Sequence, residues 1–270
     1  MKICVATVSY RGWRGDELEE TIRYASSAGY NFVEVQYVQN NLFDKMVRQG
    51  TRGIEKLSKM LKAGGLKPVA IYCPAFGGLT DEEAHSSANL ISKFIDAAVQ
   101  LGCKVIVSTD GPRRDGGIDR IIMTLKDLEE KIEKSGLRIG LEPHYQNRIE
   151  QIEDYDAIFE KIEIETIGIC IDTGHFHSAN VDVPKLIAKY PNRIYHVHIK
   201  DHKGLKPAPF GMGETDNLGC LRALKEIGYE GYISVELEVA YGLEIRKEDT
   251  PRYVRDARIY VENLFKTLDI

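Results

Sequence analysis

Acidic and histidine side chains recur at four points in the second half of the sequence, each directly after a short apolar run. The four segments read Leu-Glu-Pro-His at 141–144, Ile-Asp-Thr-Gly-His at 171–175, His-Val-His-Ile-Lys-Asp at 196–201 and Ser-Val-Glu-Leu-Glu at 234–238. Carboxylates combined with an imidazole suit a divalent cation such as Mn²⁺, Co²⁺, Zn²⁺ or Mg²⁺. One acid at a strand end is more often a salt-bridge partner or a helix cap, so the recurrence is what indicates a metal site.

These segments belong to an alternation of β-branched runs and amphipathic helical stretches that continues along the whole chain. The predicted strands lie at 2–9, 31–36, 67–72, 104–108, 138–142, 167–171, 194–200 and 231–236. The predicted helices lie at 16–28, 51–63, 82–101, 118–135, 152–162, 183–190, 217–227 and 250–268. Eight strand–helix units without a break in composition, and without a glycine-rich phosphate loop after the first strand, predict one α/β domain over 1–270, a single (β/α)8 TIM barrel.

In such a barrel the carboxyl ends of the strands form the functional face, so the four segments should meet there. Side chains alternate along a strand, which places His196 and His198 on the same face of the seventh strand. If that face is the interior, His198 lies nearer the barrel mouth, and His196 is interpreted as a hydrogen-bonded interior residue. Glu236 and Glu238 also share a face, so the pattern leaves open which of them completes the site.

Composition excludes several classes of protein. The chain has 270 residues, of which 43% are apolar and 29% charged, as in ordinary globular proteins. A formal net charge of −5 argues against nucleic-acid binding, and the apolar runs are shorter than the roughly 18 residues of a membrane span. The five cysteines are scattered and never spaced as C-x-x-C, which predicts reduced thiols and a cytoplasmic location.

The set formed by Glu142, Asp172-x-x-His175, His198 and Glu236 resembles the xylose-isomerase-like TIM-barrel superfamily. The similarity is strongest to its sugar and sugar-phosphate isomerases and epimerases, including inosose isomerase/dehydratase-like and ketose 3-epimerase-like proteins. It extends over essentially the whole chain. The resemblance implies one divalent metal ion held by Glu142, Asp172, His198 and Glu236, with Glu142 and Glu236 also acting as acid/base groups. It further implies that His175 contacts a substrate oxygen.

The implied reaction is isomerisation or epimerisation of a sugar or cyclitol, in which a carboxylate removes a proton beside a carbonyl and the metal stabilises the enediolate. His144 and Lys200 are expected to bind distal hydroxyls, with a solvated charge beside Asp201 as the alternative for Lys200. Tyr72 and Trp13 are either walls of the sugar site or, the favoured interpretation, packed aromatics. The same metal and base would also support a dehydratase of a keto-cyclitol or keto-sugar. An endonuclease IV-like hydrolase is disfavoured by the seven histidines and the negative charge, and a non-catalytic sugar-binding barrel ranks below the enzymes.

Two positions depart from the ketose 3-epimerase pattern. Those enzymes carry a second glutamate six positions after the fifth-strand ligand, where this chain has Arg148, and an arginine six positions after the metal histidine, where it has Gly204. The resemblance therefore favours the superfamily and its metal set more than that one reaction. The sequence leaves open the substrate and its phosphorylation, the native metal, and whether the protein forms a homo-oligomer.

Overall fold

Eight parallel strands close into a barrel in the computed structural model, which describes residues 1–113 and 117–270. The barrel strands are β1 (Lys2–Ala6), β2 (Phe32–Gln36), β3 (Lys67–Tyr72), β4 (Val105–Ser108), β5 (Arg138–Leu141), β6 (Ile167–Asp172), β7 (Ile194–Ile199) and β10 (Tyr232–Val235). Each strand pairs with the next barrel strand along the chain, and β10 pairs with β1 to complete the ring. The predicted (β/α)8 architecture is confirmed.

Ten α-helices lie among the described residues, and they include all eight that the sequence predicts. They are α1 (Glu17–Tyr24), α2 (Leu42–Arg48), α3 (Thr51–Ala63), α4 (Asp81–Leu101), α5 (Gly117–Ser135), α6 (Ile152–Phe159), α7 (Thr173–Ser178), α8 (Val183–Lys189), α9 (Asn217–Glu226) and α10 (Thr250–Thr267). The short helices α2 and α7 were not predicted. Neither was the hairpin of β8 (His202–Lys203) and β9 (Lys206–Pro207).

The first strand ends earlier than predicted. It stops at Ala6, and Thr7–Tyr10 forms a 3-10 helix instead of continuing to residue 9. Val8 N donates to the side chain of Gln36 at 3.2 Å, and Ser9 Oγ donates to Val235 O at 3.0 Å. These bonds tie the chain to β2 and β10 at the end of the barrel, so the prediction of a strand to Ser9 was wrong.

Apolar and polar residues are sorted by the alternation of each strand. On β2, Val33 and Val35 belong to the hydrophobic core, whereas Glu34 and Gln36 hydrogen-bond across the barrel interior. All five cysteines are buried free thiols, as expected from their spacing. Over the described part of the chain, every helix is too short or too polar to cross a membrane.

Gly53 allows α3 to pack closely on α2. A Cβ atom added at this position would lie 2.0 Å from the Met46 carbonyl oxygen. Such overpacking against backbone should outweigh the roughly 1 kcal/mol that alanine gains over glycine in a helix. We expect Gly53→Ala to lower the free energy of unfolding by about 1–2 kcal/mol, measured by urea denaturation. Lys59→Ala, at an exposed position of the same helix, is the control, and a Gly53→Ala protein as stable as this control would contradict the packing.

Candidate metal centre and active site

Three carboxylates and one imidazole converge at the carboxyl end of the barrel. Glu142 follows β5, Asp172 ends β6, His198 lies on β7 and Glu236 follows β10; one side-chain atom of each lies within 4.8 Å of the others. We call these residues the four-residue cluster. Nδ1 of His198 lies 2.5 Å from Glu142 Oε1, 3.6 Å from Glu236 Oε1 and 3.8 Å from Asp172 Oδ2. The structure therefore brings together all four predicted metal ligands.

The alternative between Glu236 and Glu238 is decided by their contacts. Glu236 joins the cluster, whereas the Glu238 carboxylate accepts from Lys200 Nζ at 3.1 Å and lies 3.0 Å from His202 Nε2. Glu238 is thus one layer further out, at the edge of the same cavity.

The donor set fits a divalent cation. All four residues are buried, and among the described residues Oδ2 of Asp172 forms no well-directed hydrogen bond, although the Lys200 ammonium lies 2.9 Å away. Burial raises the pKa of Asp172 and of Glu236, and the neighbouring Glu142 carboxylate contributes to both increases. Carboxylate oxygens with one imidazole nitrogen are suitable ligands for Mn²⁺, Co²⁺, Zn²⁺ or Mg²⁺. A cation among them would relieve the crowding of negative charge.

Lys200 is the buried counter-ion of this group. Its ammonium lies 2.9 Å from Asp172 Oδ2 and 3.0 Å from Glu236 Oε2, in addition to the contact with Glu238. Burial alone would lower the pKa of Lys200, but these three carboxylates raise it well above its usual range. Lys200 is therefore charged and lines the cavity, although its present partners are acids of the protein.

His144 and His175, both predicted to contact substrate, stack on each other in the cavity wall. Their ring centroids are 4.0 Å apart at an angle of 23°. His144 Nε2 lies 2.7 Å from Glu142 Oε2. Burial opposes protonation of His144, but Glu142 raises its pKa, whereas burial and the nearby His144 and Lys200 lower the pKa of His175 well below its usual range. The two imidazoles of the stack therefore differ in basicity, and His144 is the more readily protonated.

A cavity of about 600 Å³ opens above the cluster, large enough for a monosaccharide or a bulkier cyclic substrate. Its wall combines the polar residues just described with aromatic ones, among them Tyr37, Tyr72, Tyr145 and Tyr241. The Tyr72 hydroxyl donates to Glu142 Oε2 at 2.8 Å, so Tyr72 both lines the cavity and hydrogen-bonds a member of the cluster. Trp13 does pack between Tyr10 and Tyr24, as predicted.

Strand β2 carries two site residues that sequence reasoning missed. Gln36 Nε2 donates to Glu236 Oε1 at 2.5 Å, and the carboxylate of Glu34 lies 3.0 Å from His198 Nε2. The signal was available: Phe-Val-Glu-Val-Gln places two polar residues on one face of an otherwise apolar strand. His196 lies 2.8 Å from Glu34 and 2.7 Å from Ser234, which confirms that it is a hydrogen-bonded interior histidine.

The two departures from the ketose 3-epimerase pattern have structural roles. The buried side chain of Arg148 donates to Gly78 O at 2.9 Å and bonds the loop after β3. Gly204 lies between β8 and β9 with φ of 57°, a left-handed conformation that favours glycine. Among the residues that the structure describes, neither belongs to the cavity wall.

Comparison with known proteins agrees with this architecture. The model of the family described as xylose isomerase-like TIM barrel matches residues 22–262. The chain belongs to this family. The resemblance inferred from the strand-end motifs is thereby confirmed.

Several members of the xylose isomerase-like TIM barrel family are similar along most of their length. An inosose dehydratase from Geobacillus thermodenitrificans is 26% identical over 223 residues, which are 69% of this chain and 74% of the relative. An inosose isomerase from Halalkalibacterium halodurans is 22% identical over 288 residues, covering 100% of this chain and 99% of the relative. The crystal structure of the IolI protein with a bound zinc atom superimposes with a TM-score of 0.78 at 20% identity, covering 98% of this chain and 99% of that one.

Asp110, in the loop after β4, should give the fold a measurable pH dependence. Burial raises its pKa from 3.8 to about 6. Folding therefore favours the protonated carboxyl, and the free energy of unfolding should fall by about 2 kcal/mol as the pH rises from about 4 to about 6. The whole decrease, from well below about pH 4 to well above about pH 6, should be about 3 kcal/mol.

The variant Asp110→Asn keeps an acceptor for the Ile149 N–H, now 3.2 Å from Oδ2, but cannot ionise. We expect it to match the wild type near pH 4 and to be more stable by about 2–3 kcal/mol at pH 7.5. Urea denaturation at both pH values measures the difference. An effect of equal size at the two values would refute the assignment to Asp110.

Proposed function

We propose that this protein is a divalent-metal-dependent isomerase or epimerase of a sugar or cyclitol. The observation that carries the proposal is the position of Glu142 and Glu236, which both join the four-residue cluster and both line the cavity. Strands β6 and β7 lie between the strands that carry them. Two carboxylates that reach one bound substrate from different strands are what removal and return of a proton require. The similarity to proteins named inosose isomerase and inosose dehydratase supports a cyclitol or sugar as substrate.

Glu142, Asp172, His198 and Glu236 would hold the metal ion. The zinc atom bound in the similar IolI structure supports the presence of a metal ion in a protein of this fold. A bound divalent ion would polarise the substrate carbonyl and stabilise the negative charge that develops when the adjacent C–H bond loses its proton. The identity of the ion is left open by the donor set, which suits Mn²⁺, Co²⁺, Zn²⁺ and Mg²⁺.

The remaining polar groups orient the two acid/base carboxylates and the substrate. Tyr72 and His144 both bind Oε2 of Glu142, so this carboxylate is held in one orientation while it exchanges a proton. Gln36 and Lys200 do the same for the two oxygens of Glu236. We assign His144, His175 and Lys200 to substrate hydroxyls, because all three line the cavity beside the cluster.

A dehydratase is the second candidate, and a relative of that name favours it. The same carboxylate would remove the proton, and the departing hydroxyl would need a proton donor in the cavity. The Lys200 ammonium, 3.3 Å from His175 Nε2, is a charged donor in this position. The two functions therefore differ in what leaves the substrate, not in the residues that begin the reaction.

Metal content tests the cluster. Elemental analysis of purified protein should find about one divalent ion per chain, and His198→Ala should lower the affinity at least ~10-fold because it removes the nitrogen ligand. His85→Ala is the matched control, since His85 is an exposed histidine on α4 that pairs with Asp127. Unchanged metal content in His198→Ala would sink the assignment.

Turnover tests the acid/base pair. With an inosose as substrate and at saturating metal, Glu236→Gln should keep the fold and lose the ~10²–10⁴-fold that one acid/base group supplies. Glu244→Gln, which changes an exposed glutamate paired with Lys206, is the control. Near-wild-type turnover by Glu236→Gln would make Glu236 a ligand or a structural residue only.

Reaction in D₂O separates the two candidate functions. An isomerase or epimerase exchanges a substrate C–H for deuterium and keeps every other atom, whereas a dehydratase releases one water. Mass spectrometry of the product distinguishes these outcomes directly. Loss of water without an isomeric product would replace the first candidate by the second.

A further inference from the structure

Glu34 is a fully buried carboxylate on β2, a strand that contributes no residue to the four-residue cluster. It points into the barrel directly beneath that cluster. Ser234 Oγ donates to Glu34 Oε2 at 2.6 Å, His196 Nε2 lies 2.8 Å from the same oxygen, and His198 Nε2 lies 3.0 Å from both oxygens. Gln36 Nε2 also donates to Glu34 Oε1, at 3.4 Å. Burying an ionised group costs several kcal/mol unless donors surround it, and here four donors do so.

The two ring nitrogens of His198 face different carboxylates. Nδ1 faces the oxygens of Glu142, Asp172 and Glu236, whereas Nε2 faces the carboxylate of Glu34. An ionised carboxylate accepts hydrogen bonds and cannot donate them, so a bond to Glu34 requires the proton on Nε2. The ring then has the lone pair on Nδ1 available for a metal ion.

We propose that Glu34 is the positioning residue of the metal centre: it keeps the proton of His198 on Nε2 and orients the ring so that Nδ1 faces the three carboxylates. This inference rests on the proposed metal centre and assigns a role to a residue outside it. Carboxylate partners of this kind fix the tautomer and raise the basicity of a metal-binding imidazole.

The surroundings of Glu34 hold it in place. Ser234 Oγ also lies 2.9 Å from Cys4 Sγ, and His196 Nε2 lies within hydrogen-bonding distance of Ser234 as well as of Glu34. The two histidines come from β7 and Ser234 from β10, so the carboxylate of β2 is bound from two other strands of the barrel. Gln36, the next inward residue of β2, binds Glu236. One strand without a ligand thus supports two members of the cluster.

A second metal ion among Glu34, His196 and His198 is the competing interpretation, since these three could also surround a cation. Hydrogen bonds are favoured because Ser234 Oγ, which is not one of these three candidate ligands, lies 2.6 Å from Glu34 Oε2 and 2.7 Å from His196 Nε2. The atoms that would bind a second ion therefore already have a hydrogen-bonding partner in the barrel interior. Stoichiometry distinguishes the two interpretations.

The test compares wild type with Glu34→Gln, which keeps the size of the side chain and removes its charge. Metal-free protein is titrated with Zn²⁺ against a competing chelator at constant pH. We expect one Zn²⁺ per wild-type chain and about 10- to 100-fold weaker binding by Glu34→Gln. Asp44→Asn is the matched control, since Asp44 is a buried carboxylate on α2 that binds Arg48. Its Zn²⁺ affinity should equal that of the wild type.

Nitrogen-15 NMR of histidine-labelled, Zn²⁺-loaded protein supplies a readout that general destabilisation would not move. In the wild type, His198 should show a slowly exchanging Nε2–H and a metal-shifted Nδ1, and in Glu34→Gln the Nε2–H should exchange rapidly or disappear. Affinity within about threefold of the wild type together with an unchanged Nε2–H resonance would overturn the proposal. Two ions per wild-type chain, reduced to one by Glu34→Gln, would also overturn it in favour of the second site.

Failure of the metal centre itself is distinguishable, because wild-type protein would then take up no Zn²⁺ at all. If Glu34→Gln does not fold, Ser234→Ala provides the test, since it removes the shortest hydrogen bond to Glu34 without altering the cluster. We expect the same two changes in Ser234→Ala, with a smaller loss of affinity. Unchanged affinity and an unchanged Nε2–H in that variant would contradict the role of Glu34.

Discussion

The burial of several carboxylates at one end of the barrel is the constraint on which the rest of this structure depends. Five acids lie at or beneath the carboxyl end of the barrel: Glu34, Glu142, Asp172, Glu236 and Glu238. Each must be paired, because an isolated buried charge is too costly. Lys200 contacts three of the five and His198 contacts four, so both share Asp172 and Glu236. The carboxylates outnumber these two partners, which leaves an excess of negative charge where Asp172 and Glu236 meet. A divalent cation is the natural complement of that excess.

Barrel closure makes this arrangement possible by stacking two polar layers. In the lower layer, Glu34 binds His196 and Ser234; in the upper layer, His198 meets the carboxylates at the strand ends. The alternation of β7 carries one histidine in each layer, and Glu34 joins the two by contacting both rings. Val197, which lies between the two histidines in the sequence, faces the helices and belongs to the hydrophobic core. The same strand therefore serves packing with one face and the site with the other.

Local pattern explains which parts of this structure could be predicted from the sequence. Glu142, Asp172 and Glu236 each follow an apolar run that predicts a strand. The barrel topology alone then predicts that the three residues meet at the carboxyl end of the barrel. Glu34 escaped prediction because its partner His196 is 162 residues away and is reached only across the closed barrel. Gln36 and Glu236 are 200 residues apart for the same reason.

The errors near the barrel mouth have a related origin. The first strand was extended to Ser9 because its residues are apolar and β-branched, but hydrogen bonds to β2 and β10 override that local preference. Hydrogen bonds join the two chain segments that flank the hairpin of β8 and β9. Asp201, just before the hairpin, accepts from Gly211 N and Gly213 N, after it, at 2.8 and 3.0 Å. Contacts of this kind leave no periodic signature, so loops above a barrel are predicted less well than the strands beneath them.

The spacing of Asp172 and His175 has a physical explanation in the way β6 passes into α7. Asp172 is the N-cap of that helix, and its Oδ1 accepts from His175 N at 2.8 Å, while Oδ2 faces the cluster. A cap bonds the backbone N–H three residues ahead, so one carboxylate joins the candidate metal centre and also fixes where His175 enters the cavity. Gly174 completes the turn, because a Cβ atom there would lie 2.7 Å from His202 and 2.9 Å from the Cβ atom of Lys200. Moving the histidine by one position would therefore separate it from the cap that orients it, and the motif is a consequence of helix capping as much as of chemistry.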